Sequence, residues 1–562
     1  MGKRVLITAA LPYANGFLHF GHIAGAYLPA DVYARFKRLE GCDVLYICGS
    51  DEHGVPITLS AEMAGKKPWE YVDFFHEAIA DFFKKFAISF DHYSRTTQRR
   101  HGPLTQAFFR DLNENGYIEA RITNQLYSPK DGRFLADRYV IGRCPRCDYG
   151  EARGDECPEC GAYYEATDLK EPKSKLTGAP LLLRPTKHWF LRFDLFKDRL
   201  KEWMARKQWK ANVTSFAQNY IADLRPRAIT RDSDWGVPVP LDEAKGKVFY
   251  VWFDAPIGYI SATMEWAEEV KKEPDAWKKY WLDPDTSYVQ FIGKDNIPFH
   301  AIFFPAMIMG QNTPYKLVDE LPANEFYLFE GKQFSKSSGH TIDLRSFLER
   351  FSVDQARYVI AAGAPETQDG EFSRKDFQTR CNAELLGKYG NLANRVLLFT
   401  KRVCGRKRPR PGALADVDTT FLVRIERIVR EIRSDYSAFR LRKATRSVME
   451  LAASGNVYFD TKKPWKGVGE ESLKEAMLTT LALSLRCLDL LALISYPIIP
   501  ETAERLWRFL GYTTPLALSR WDETVEQKMA EGALIDPTPL FKRVEGPEIL
   551  GLPRECNPRE CK

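Results

Sequence analysis

Two short motifs, separated by more than 300 residues, restrict the fold of this chain more than any other feature. The first, His19-Phe20-Gly21-His22, closes a glycine-containing loop near the N-terminus. The second, Phe334-Ser335-Lys336-Ser337-Ser338-Gly339, lies well past the middle of the chain. Each motif is short enough to recur by chance. It is their combination, in this order, that restricts the fold.

The residues around the first motif predict a strand–helix–strand unit. Residues 4–8 and 43–48 are short apolar runs bounded by turn signals, and a helix is expected over residues 21–40. This spacing is typical of a βαβ unit with a right-handed crossover in a parallel sheet. Ligands bind such sheets beyond the carboxyl ends of the strands, where residues 19–22 and 51–53 are expected to lie.

Together the two motifs resemble the HIGH and KMSKS motifs of class I aminoacyl-tRNA synthetases, and the residues around them resemble those of methionyl-tRNA synthetases. The resemblance covers nearly all of residues 4–545. It implies ATP-dependent activation of L-methionine to methionyl-adenylate and transfer to the 3′-terminal ribose of tRNA(Met). The fold expected is α/β: a split Rossmann-type catalytic domain with a parallel sheet and a zinc-knuckle insertion, followed by an all-α anticodon-binding bundle.

The first motif suits an ATP site. His19 and His22 are three residues apart at a helix start, so their side chains can point the same way, and helix N-terminal amides favour phosphate. Gly21 lets the backbone approach a nucleotide closely. The resemblance implies that both histidines hold ATP phosphates and that Lys336 meets the pyrophosphate leaving group. From the residues alone, a satisfied histidine pair and a plain solvated lysine remain alternatives.

The second motif departs from the family pattern at two positions. Gln333 replaces the first lysine and Phe334 replaces the methionine. One cation is lost, so we expect a lower activation rate or compensation from Lys332.

The loop Gly293–Asn296 follows a predicted strand and belongs at the same sheet edge. The resemblance implies that Lys294 and Asp295 bind the nucleotide, with Asp295 accepting hydrogen bonds from ribose hydroxyls. ATP is expected to bring Mg²⁺, for which we predict no protein ligand.

Methionine requires a carboxylate for its ammonium group and aromatic walls for its thioether. Asp51, at a strand end, suits the ammonium, although it is also a candidate loop cap. The segment Val251–Tyr259 is too apolar for an exposed loop, and aromatic residues at such spacing also occur in cores. The resemblance implies a methionine pocket lined by Leu11, Tyr13, Asp51, Trp252, Ala255, Pro256, Tyr259, Phe299 and His300.

Four of the 11 cysteines, Cys144, Cys147, Cys157 and Cys160, form two CxxC pairs. Such turns present four thiolates, which suits tetrahedral Zn²⁺. The spacing also admits iron, but no redox partner motif is apparent. Four protein ligands leave no open position, so the metal is expected to be structural. The other cysteines are scattered and imply no disulfide framework.

The last third of the chain predicts long amphipathic helices over residues 382–510, interrupted by the basic segment 401–411. The resemblance implies that Asn391, Arg395 and Trp465 read the CAU anticodon of tRNA(Met). An indole can stack on a base with about 1–3 kcal/mol, but a position in the bundle core is the alternative for Trp465.

A row of arginines on one predicted helix leaves two alternatives open. A basic face and a solvated helix, in which glutamates balance the charge, both fit Arg424, Arg427, Arg430 and Arg433 with Glu426 and Glu431.

Shifts in composition predict six segments. Helical periodicity extends from about Trp69 to Gly116, and the βαβ pattern of the parallel sheet resumes near Val248, so the cysteine-bearing stretch between them is an insertion. We predict a first catalytic half at 1–117, a connective insertion at 118–232, a second catalytic half at 233–325, a linking region at 326–385, an anticodon-binding domain at 386–545 and a tail at 546–562.

Composition bears on partners and location. A net charge of +6, with 44% hydrophobic residues, is typical of a globular soluble protein and permits a polyanionic partner without demanding one. No apolar run reaches the roughly 20 residues of a membrane span. The apolar start is better explained as a buried strand than as a signal peptide. We expect a cytoplasmic monomer that does not associate with membranes.

Two other functions remain open at this point. A class I synthetase for another apolar amino acid is disfavoured by residues 252–259 and by an insertion that is short for a separate editing domain. A non-catalytic tRNA-binding paralogue gains support from Gln333, whereas the presence of His19, His22, Lys336 and Asp51 argues against it.

Overall fold

The N-terminal half is built on a five-stranded parallel sheet. Across the sheet the strands follow the order Ala323–Asn324, Ser287–Gly293, Arg4–Ala9, Asp43–Ser50 and His92–Arg95. The computed structural model describes residues 3–135, 139–154, 157–160, 162, 164, 166–334, 339–526 and 533–546. Within these residues the predicted fold class, a Rossmann-type parallel sheet with an insertion and a helical C-terminal bundle, is confirmed.

The central strand is buried on both faces because its side chains alternate between two cores. Val5, Ile7 and Ala9 pack in the core that continues into the C-terminal bundle. Leu6 packs in the core shared with the insertion. This explains why the strand appears in the sequence as a continuous apolar run, as is usual for parallel sheets covered on both sides.

The strand order reverses beside Arg4–Ala9. On one side it pairs with Asp43–Ser50, the next strand in the chain. On the other it pairs with Ser287–Gly293, more than 200 residues later. Crevices at such a switch point, beyond the carboxyl ends of the strands, are where open α/β sheets bind ligands.

The helix predicted after the first strand is present as consecutive segments Phe20–His22, Ile23–Tyr27 and Leu28–Leu39, the middle one a π-helix. The helices Val55–Met63, Pro68–Lys85 and His101–Glu114 follow.

Two predicted features of this half are wrong. The helical periodicity expected from Trp69 to Gly116 is interrupted by the edge strand His92–Arg95, which is only four residues long and mostly polar. The parallel sheet does not return near Val248, because Lys247–Phe249 pairs antiparallel with Thr230–Asp232 outside it. The sheet resumes at Ser287.

In its described residues the insertion carries two antiparallel sheets and two α-helices. The larger sheet has the order Arg227–Ala228, Leu182–Leu191, Ile118–Ser128 and Arg133–Phe134. The smaller sheet, which carries the cysteine turns, has the order Ala152–Arg153, Val140–Arg143 and Lys170–Ser174. The helices are Lys197–Met204 and Ala211–Ala222.

A linking region joins the sheet to the bundle. Its strands Tyr327–Phe329 and Gly370–Phe372 pair in parallel, and its helices are Leu344–Arg350, Val353–Ala362 and Arg374–Arg380. The bundle consists of Cys381–Gly390, Asn391–Cys404, Asp416–Ser437, Leu441–Lys462, Glu471–Ser495, Pro500–Phe509 and Trp521–Glu526.

The described C-terminal residues run back along the bundle. The Val544 N–H donates to Asn382 Oδ1 at 2.8 Å, and the Asn382 amide donates to the Val544 carbonyl at 2.9 Å. Residues 547–562, nearly all of the predicted tail, lie outside the described residues.

One described helix is long and apolar enough to cross a membrane, contrary to the expectation from apolar runs. Glu471–Ser495 contains an 18-residue window of mean hydropathy 1.8, of which 89% is buried inside the protein. Neighbouring bundle helices therefore cover its apolar surface.

Candidate active site

A cleft of about 470 Å³ opens at the switch point of the sheet. Its walls come from the loop after the first strand, the first motif, the loop after Ser287–Gly293, and the start of the second motif. Of the predicted site residues it is lined by Leu11, Tyr13, His19, Gly21, His22, Trp252 and Asp295. The fold thus brings together segments that are more than 300 residues apart.

The two histidines of the first motif cap their own helix. The Gly21 N–H donates to His19 Nδ1, and the His19 N–H donates to His22 Nδ1, both at 3.1 Å. Because each Nδ1 accepts a hydrogen bond, the neutral ring carries its proton on Nε2. The capping geometry therefore makes the Nε2 atoms of both residues hydrogen-bond donors.

The second motif contacts the first through Phe334. Its ring stacks on His19, with centroids 4.6 Å apart and planes 6° apart. A Cβ added to Gly21 would lie 2.8 Å from His19 Cε1 and 3.4 Å from Phe334 Cδ2. The position of the His19 ring under Phe334 therefore requires glycine at residue 21. The residue that departs from the family's methionine thus covers one face of a predicted phosphate ligand. Lys336 lies outside the described residues.

The loop after Ser287–Gly293 places its two predicted nucleotide ligands differently. Asp295 faces the cleft, and its Oδ1 would lie 2.7 Å from a Cβ added to Gly293. Lys294 is engaged elsewhere: its ammonium contacts Glu325 at 2.7 Å and Asp369 at 3.3 Å. Lys294 is not among the residues that line the cleft, although its partner Glu325 is.

Asp51 lies beside the cleft with its backbone fixed by the first-strand loop. Its N–H donates to the Pro12 carbonyl at 2.8 Å, and its carbonyl accepts from the Ala14 N–H at 2.9 Å. The carboxyl group is buried, and burial together with the negative charge of Asp254 raises its pKa well above the usual range. No basic side chain among the described residues forms an ion pair with it. A cationic ligand group would therefore stabilise its charged form.

A buried polar network lies next to Asp51, and its one sequence signal is Asp254, an acidic residue in an apolar run. His53 Nδ1 lies 2.8 Å from Asp254 Oδ2. The other oxygen, Asp254 Oδ1, is buried without a hydrogen-bond partner among the described residues. His101 is adjacent, and burial lowers its pKa to about 3, so this ring is neutral.

Aromatic rings form the far side of the cleft. Trp252 stacks on Phe299 with centroids 3.4 Å apart, and Tyr13 meets Trp252 edge-on at 6.4 Å. Tyr259 and His300 are buried behind them, with Tyr259 Oη 3.0 Å from His300 Nε2.

The protonation of His300 follows from its contacts. His300 Nδ1 lies 3.0 Å from the Asn296 carbonyl, which accepts only, so Nδ1 carries the proton and Nε2 accepts from the tyrosine. Burial lowers the His300 pKa to about 4, which keeps the ring neutral.

The predicted methionine ligands therefore divide into two layers. Leu11, Tyr13 and Trp252 line the cleft itself. The others lie behind this wall, either buried or stacked against it: Asp51, Ala255, Pro256, Tyr259, Phe299 and His300.

The four predicted metal ligands converge in the insertion. The sulfurs of Cys144, Cys147, Cys157 and Cys160 all lie within 4.8 Å of one another. The Cys144–Cys160 and Cys147–Cys157 sulfur separations are 3.8 and 3.6 Å. Sulfurs placed tetrahedrally about 2.3 Å from one ion would be about 3.8 Å apart, so the cluster fits Zn²⁺.

The predicted anticodon residues form one exposed surface on the bundle. Asn391 donates to Asn456 Oδ1 at 3.1 Å, and Arg395 pairs with Asp460 at 2.5 Å. Trp465 follows the left-handed Lys463 and is 42% exposed, which rules out the alternative of a core position.

The arginine row is not an open basic face. Arg424, Arg427 and Arg430 lie within 4 Å of glutamates on the bundle, and Arg433 pairs with Glu40 and Asp522. The alternative of a helix with balanced charges is the one observed.

Comparison with known proteins agrees with this arrangement. Residues 5–397 match the family of class I tRNA synthetases (M), and residues 408–550 match the anticodon-binding domain of methionyl tRNA ligase. A methionine–tRNA ligase of Protochlamydia amoebophila is 59% identical over 98% of this chain and 79% of that protein. One of Chlamydia trachomatis is 52% identical over 97% of this chain and 100% of that protein.

A solved structure supports the same relationship. The methionyl-tRNA synthetase of Mycobacterium tuberculosis in complex with methionyl-adenylate superimposes with a TM-score of 0.79 at 27% identity, covering 96% of this chain and 100% of that one. The chain therefore belongs to the methionyl-tRNA synthetase family of the class I tRNA synthetases.

Proposed function

We propose that this chain is a methionine–tRNA ligase, which activates L-methionine with ATP and transfers it to tRNA(Met). The observation that carries the proposal is the meeting, at one switch point, of the paired His19 and His22 donors with the uncompensated carboxyl group of Asp51. Class I synthetases use ATP, and the Nε2–H groups of His19 and His22 are donors suited to its phosphates. We therefore place the ATP phosphates beside the two histidines.

Activation needs positioning and charge stabilisation rather than a side-chain nucleophile. The methionine carboxylate attacks the α-phosphorus, the bond to the bridging oxygen breaks, and pyrophosphate leaves with the electron pair. The Nε2–H groups of His19 and His22 donate to phosphate oxygens as charge develops, and Lys336 is proposed to meet the pyrophosphate. Asp295 accepts from the ribose hydroxyls. Mg²⁺ bound with ATP would neutralise phosphate charge.

The amino acid binds with its ammonium group at Asp51. This carboxyl is buried and has no basic partner in the described part of the chain, so the ligand supplies the missing positive charge. The thioether is bounded by Leu11, Tyr13 and Trp252, with Phe299 behind the indole. The remaining pocket residues, Ala255, Pro256, Tyr259 and His300, form the buried second layer.

Transfer follows once tRNA binds. The family's anticodon-binding domain recognises tRNA(Met), and we assign the CAU contacts to Asn391, Arg395 and Trp465. A ribose hydroxyl of the terminal nucleotide attacks the activated carbonyl, the ester to methionine forms, and AMP leaves.

The cysteine cluster is proposed to hold one structural Zn²⁺, since four thiolates leave no open coordination position. Metal analysis checks this directly. We expect about one zinc per chain in the wild type and none in Cys147→Ser. We further propose that the chain acts as a monomer in the cytoplasm, which sedimentation of the purified protein and cell fractionation would check.

The activity is tested by pyrophosphate–ATP exchange with each of the twenty amino acids. We expect exchange with methionine alone, abolished in Lys336→Ala and strongly reduced in Asp51→Asn. Asp81→Asn is the matched control, because this exposed carboxylate pairs with Lys85 and does not line the cleft. Exchange with another amino acid would contradict the pocket assignment. If no amino acid supports exchange, the chain would be a tRNA-binding protein without catalytic activity.

A further inference from the structure

A second groove, outside the active site, separates the linking region from the bundle. It has a volume of about 380 Å³ and is lined on one side by Tyr358 and Arg380 and on the other by the helix Leu441–Lys462. Three further basic side chains, Lys388, Arg442 and Arg446, line it.

The charges in this groove do not cancel. Its two acidic residues are already engaged: Glu384 accepts from Tyr358 Oη at 2.6 Å, and Glu450 lies 3.6 Å from Arg424. Arg380 pairs with Asp376 at 2.7 Å. Within the part of the chain that the structure describes, Lys388, Arg442 and Arg446 form no ion pair. On other faces of the bundle, Arg424, Arg427, Arg430 and Arg508 each lie within 4 Å of a glutamate.

The groove is continuous with the surface assigned to the anticodon. In the helix Leu441–Lys462, positions 442 and 460 lie on the same face, because they are 18 residues apart, which makes five helical turns. Positions 446 and 456 lie on this face too, since each is about one turn from one of these two. Asn456 donates to the Lys388 carbonyl at 3.0 Å and accepts from Asn391 at 3.1 Å. Asp460, which pairs with Arg395, lies about 27 Å along the helix from Arg442.

The two ends of this helix face lie next to different parts of the molecule. The anticodon residues lie at the far end of the stripe. The near end is attached to the linking region, where the Arg442 N–H donates to Glu366 at 3.0 Å. A polyanion that reaches from the anticodon surface towards the catalytic cleft along this face would pass over three cations that form no ion pair in the described residues.

We propose that Lys388, Arg442 and Arg446 form a binding surface for the sugar-phosphate backbone of tRNA. This inference rests on the proposed function only for the identity of the RNA. The contacts are to phosphate, so they position the RNA and add affinity without reading its sequence. Their contribution depends on salt, because each neutralised phosphate releases counterions.

The test measures the dissociation constant of unmodified tRNA(Met) transcript by fluorescence anisotropy at several KCl concentrations. In the variant Lys388→Gln/Arg446→Gln we expect binding to weaken by roughly tenfold at low salt, and the slope of log Kd against log salt to fall by about 2. The matched control is Arg430→Gln/Arg508→Gln, which removes two exposed bundle arginines paired with Glu426 and Glu504. We expect a change below about twofold there.

Two further measurements separate the possible failures. Methionine-dependent pyrophosphate exchange, which needs no tRNA, is expected to be unchanged in the groove variant; its absence in the wild type would refute the proposed activity but not the groove. Lysine acetylation of the wild type is expected to be suppressed at Lys388 by tRNA, and unaffected at Lys278, an exposed lysine of the catalytic half that pairs with Asp275. An unchanged salt slope, an equal loss in the control variant, or equal labelling of Lys388 with and without tRNA would each overturn the proposal.

Discussion

The carboxylate of Asp31 lies 2.6 Å from the guanidinium of Arg357, and both side chains are completely buried. Asp31 belongs to the helix that continues from the first motif, whereas Arg357 belongs to the linking region. The same guanidinium donates to the carbonyls of Ile498 and Pro497 in the bundle at 2.8 and 3.0 Å. One arginine thus joins the catalytic half to the C-terminal bundle.

We predict that Asp31→Asn destabilises the protein by about 3–5 kcal/mol, because it leaves the buried arginine uncompensated. Burial opposes ionisation of Asp31, but the charges of Arg35 and Arg357 hold its pKa well below the usual range. The stabilisation is therefore present above about pH 4 and lost as the pH falls. The midpoint of the first urea transition measures it. Asp81→Asn, in an exposed pair, should cost less than about 1 kcal/mol.

The capping geometry of the first motif predicts opposite effects for two substitutions of His22. His22→Asn keeps an acceptor near Nδ1 but removes the Nε2–H, so exchange should fall by about 100-fold at an unchanged melting temperature. His22→Gln offers an amide near Nε2 without the cap, so it should retain more activity and lose about 0.5–2 kcal/mol of stability. Near-wild-type exchange in His22→Asn would argue against phosphate contact by this ring.

The exposed indole on the bundle should act only in tRNA recognition. Trp465→Ala is predicted to lower kcat/KM for tRNA by about 5- to 150-fold, which corresponds to one lost base stack of about 1–3 kcal/mol. Methionine-dependent exchange should not change. Trp69→Ala is the matched control, since that indole is 51% exposed at the start of a catalytic-domain helix. An equal loss of kcat/KM in both variants would contradict the assignment of Trp465 to anticodon binding.

Asp354 predicts a pH-dependent stability. Burial raises its pKa to about 6, against the hydrogen bond from the Thr502 N–H at 2.6 Å. Between about pH 4 and 6 the folded state holds a proton that the unfolded state releases, so stability falls as the pH rises through this window and is level above it. The difference is at most about 3 kcal/mol. Urea titrations at pH 4, 5, 6 and 7 should show a flatter profile for Asp354→Asn than for the wild type.

The features predicted correctly from the sequence are those that depend only on residues close together in the chain. The apolar run of the first strand, the spacing of His19 and His22 and the cysteine pairs all depend on neighbouring residues, and the structure has them as predicted. Predictions were wrong where a residue or strand far away in the chain determines the local structure. The polar edge strand His92–Arg95 exists because Asp43–Ser50 supplies its hydrogen bonds.

Side-chain placement shows the same division. Lys294 follows a strand end as expected, but its ammonium group is paired with Glu325 and Asp369. Arg357 lies in a helix whose sequence permits exposure, yet Asp31 makes its burial possible. In each case the deciding charge lies at least 31 residues away along the chain, and no periodicity reports it.

The position of Arg4–Ala9 also sets an order of events during synthesis. Its second neighbour, Ser287–Gly293, is translated more than 200 residues after Asp43–Ser50, which takes roughly 10–50 s at usual elongation rates. Throughout that interval the nascent chain has an apolar strand with one unpaired edge, the kind of surface to which other strands add. The insertion is synthesised within this interval, so it can fold before the sheet closes. Ribosome-bound chains that stop before Ser287 should consequently bind chaperones, and longer chains should release them.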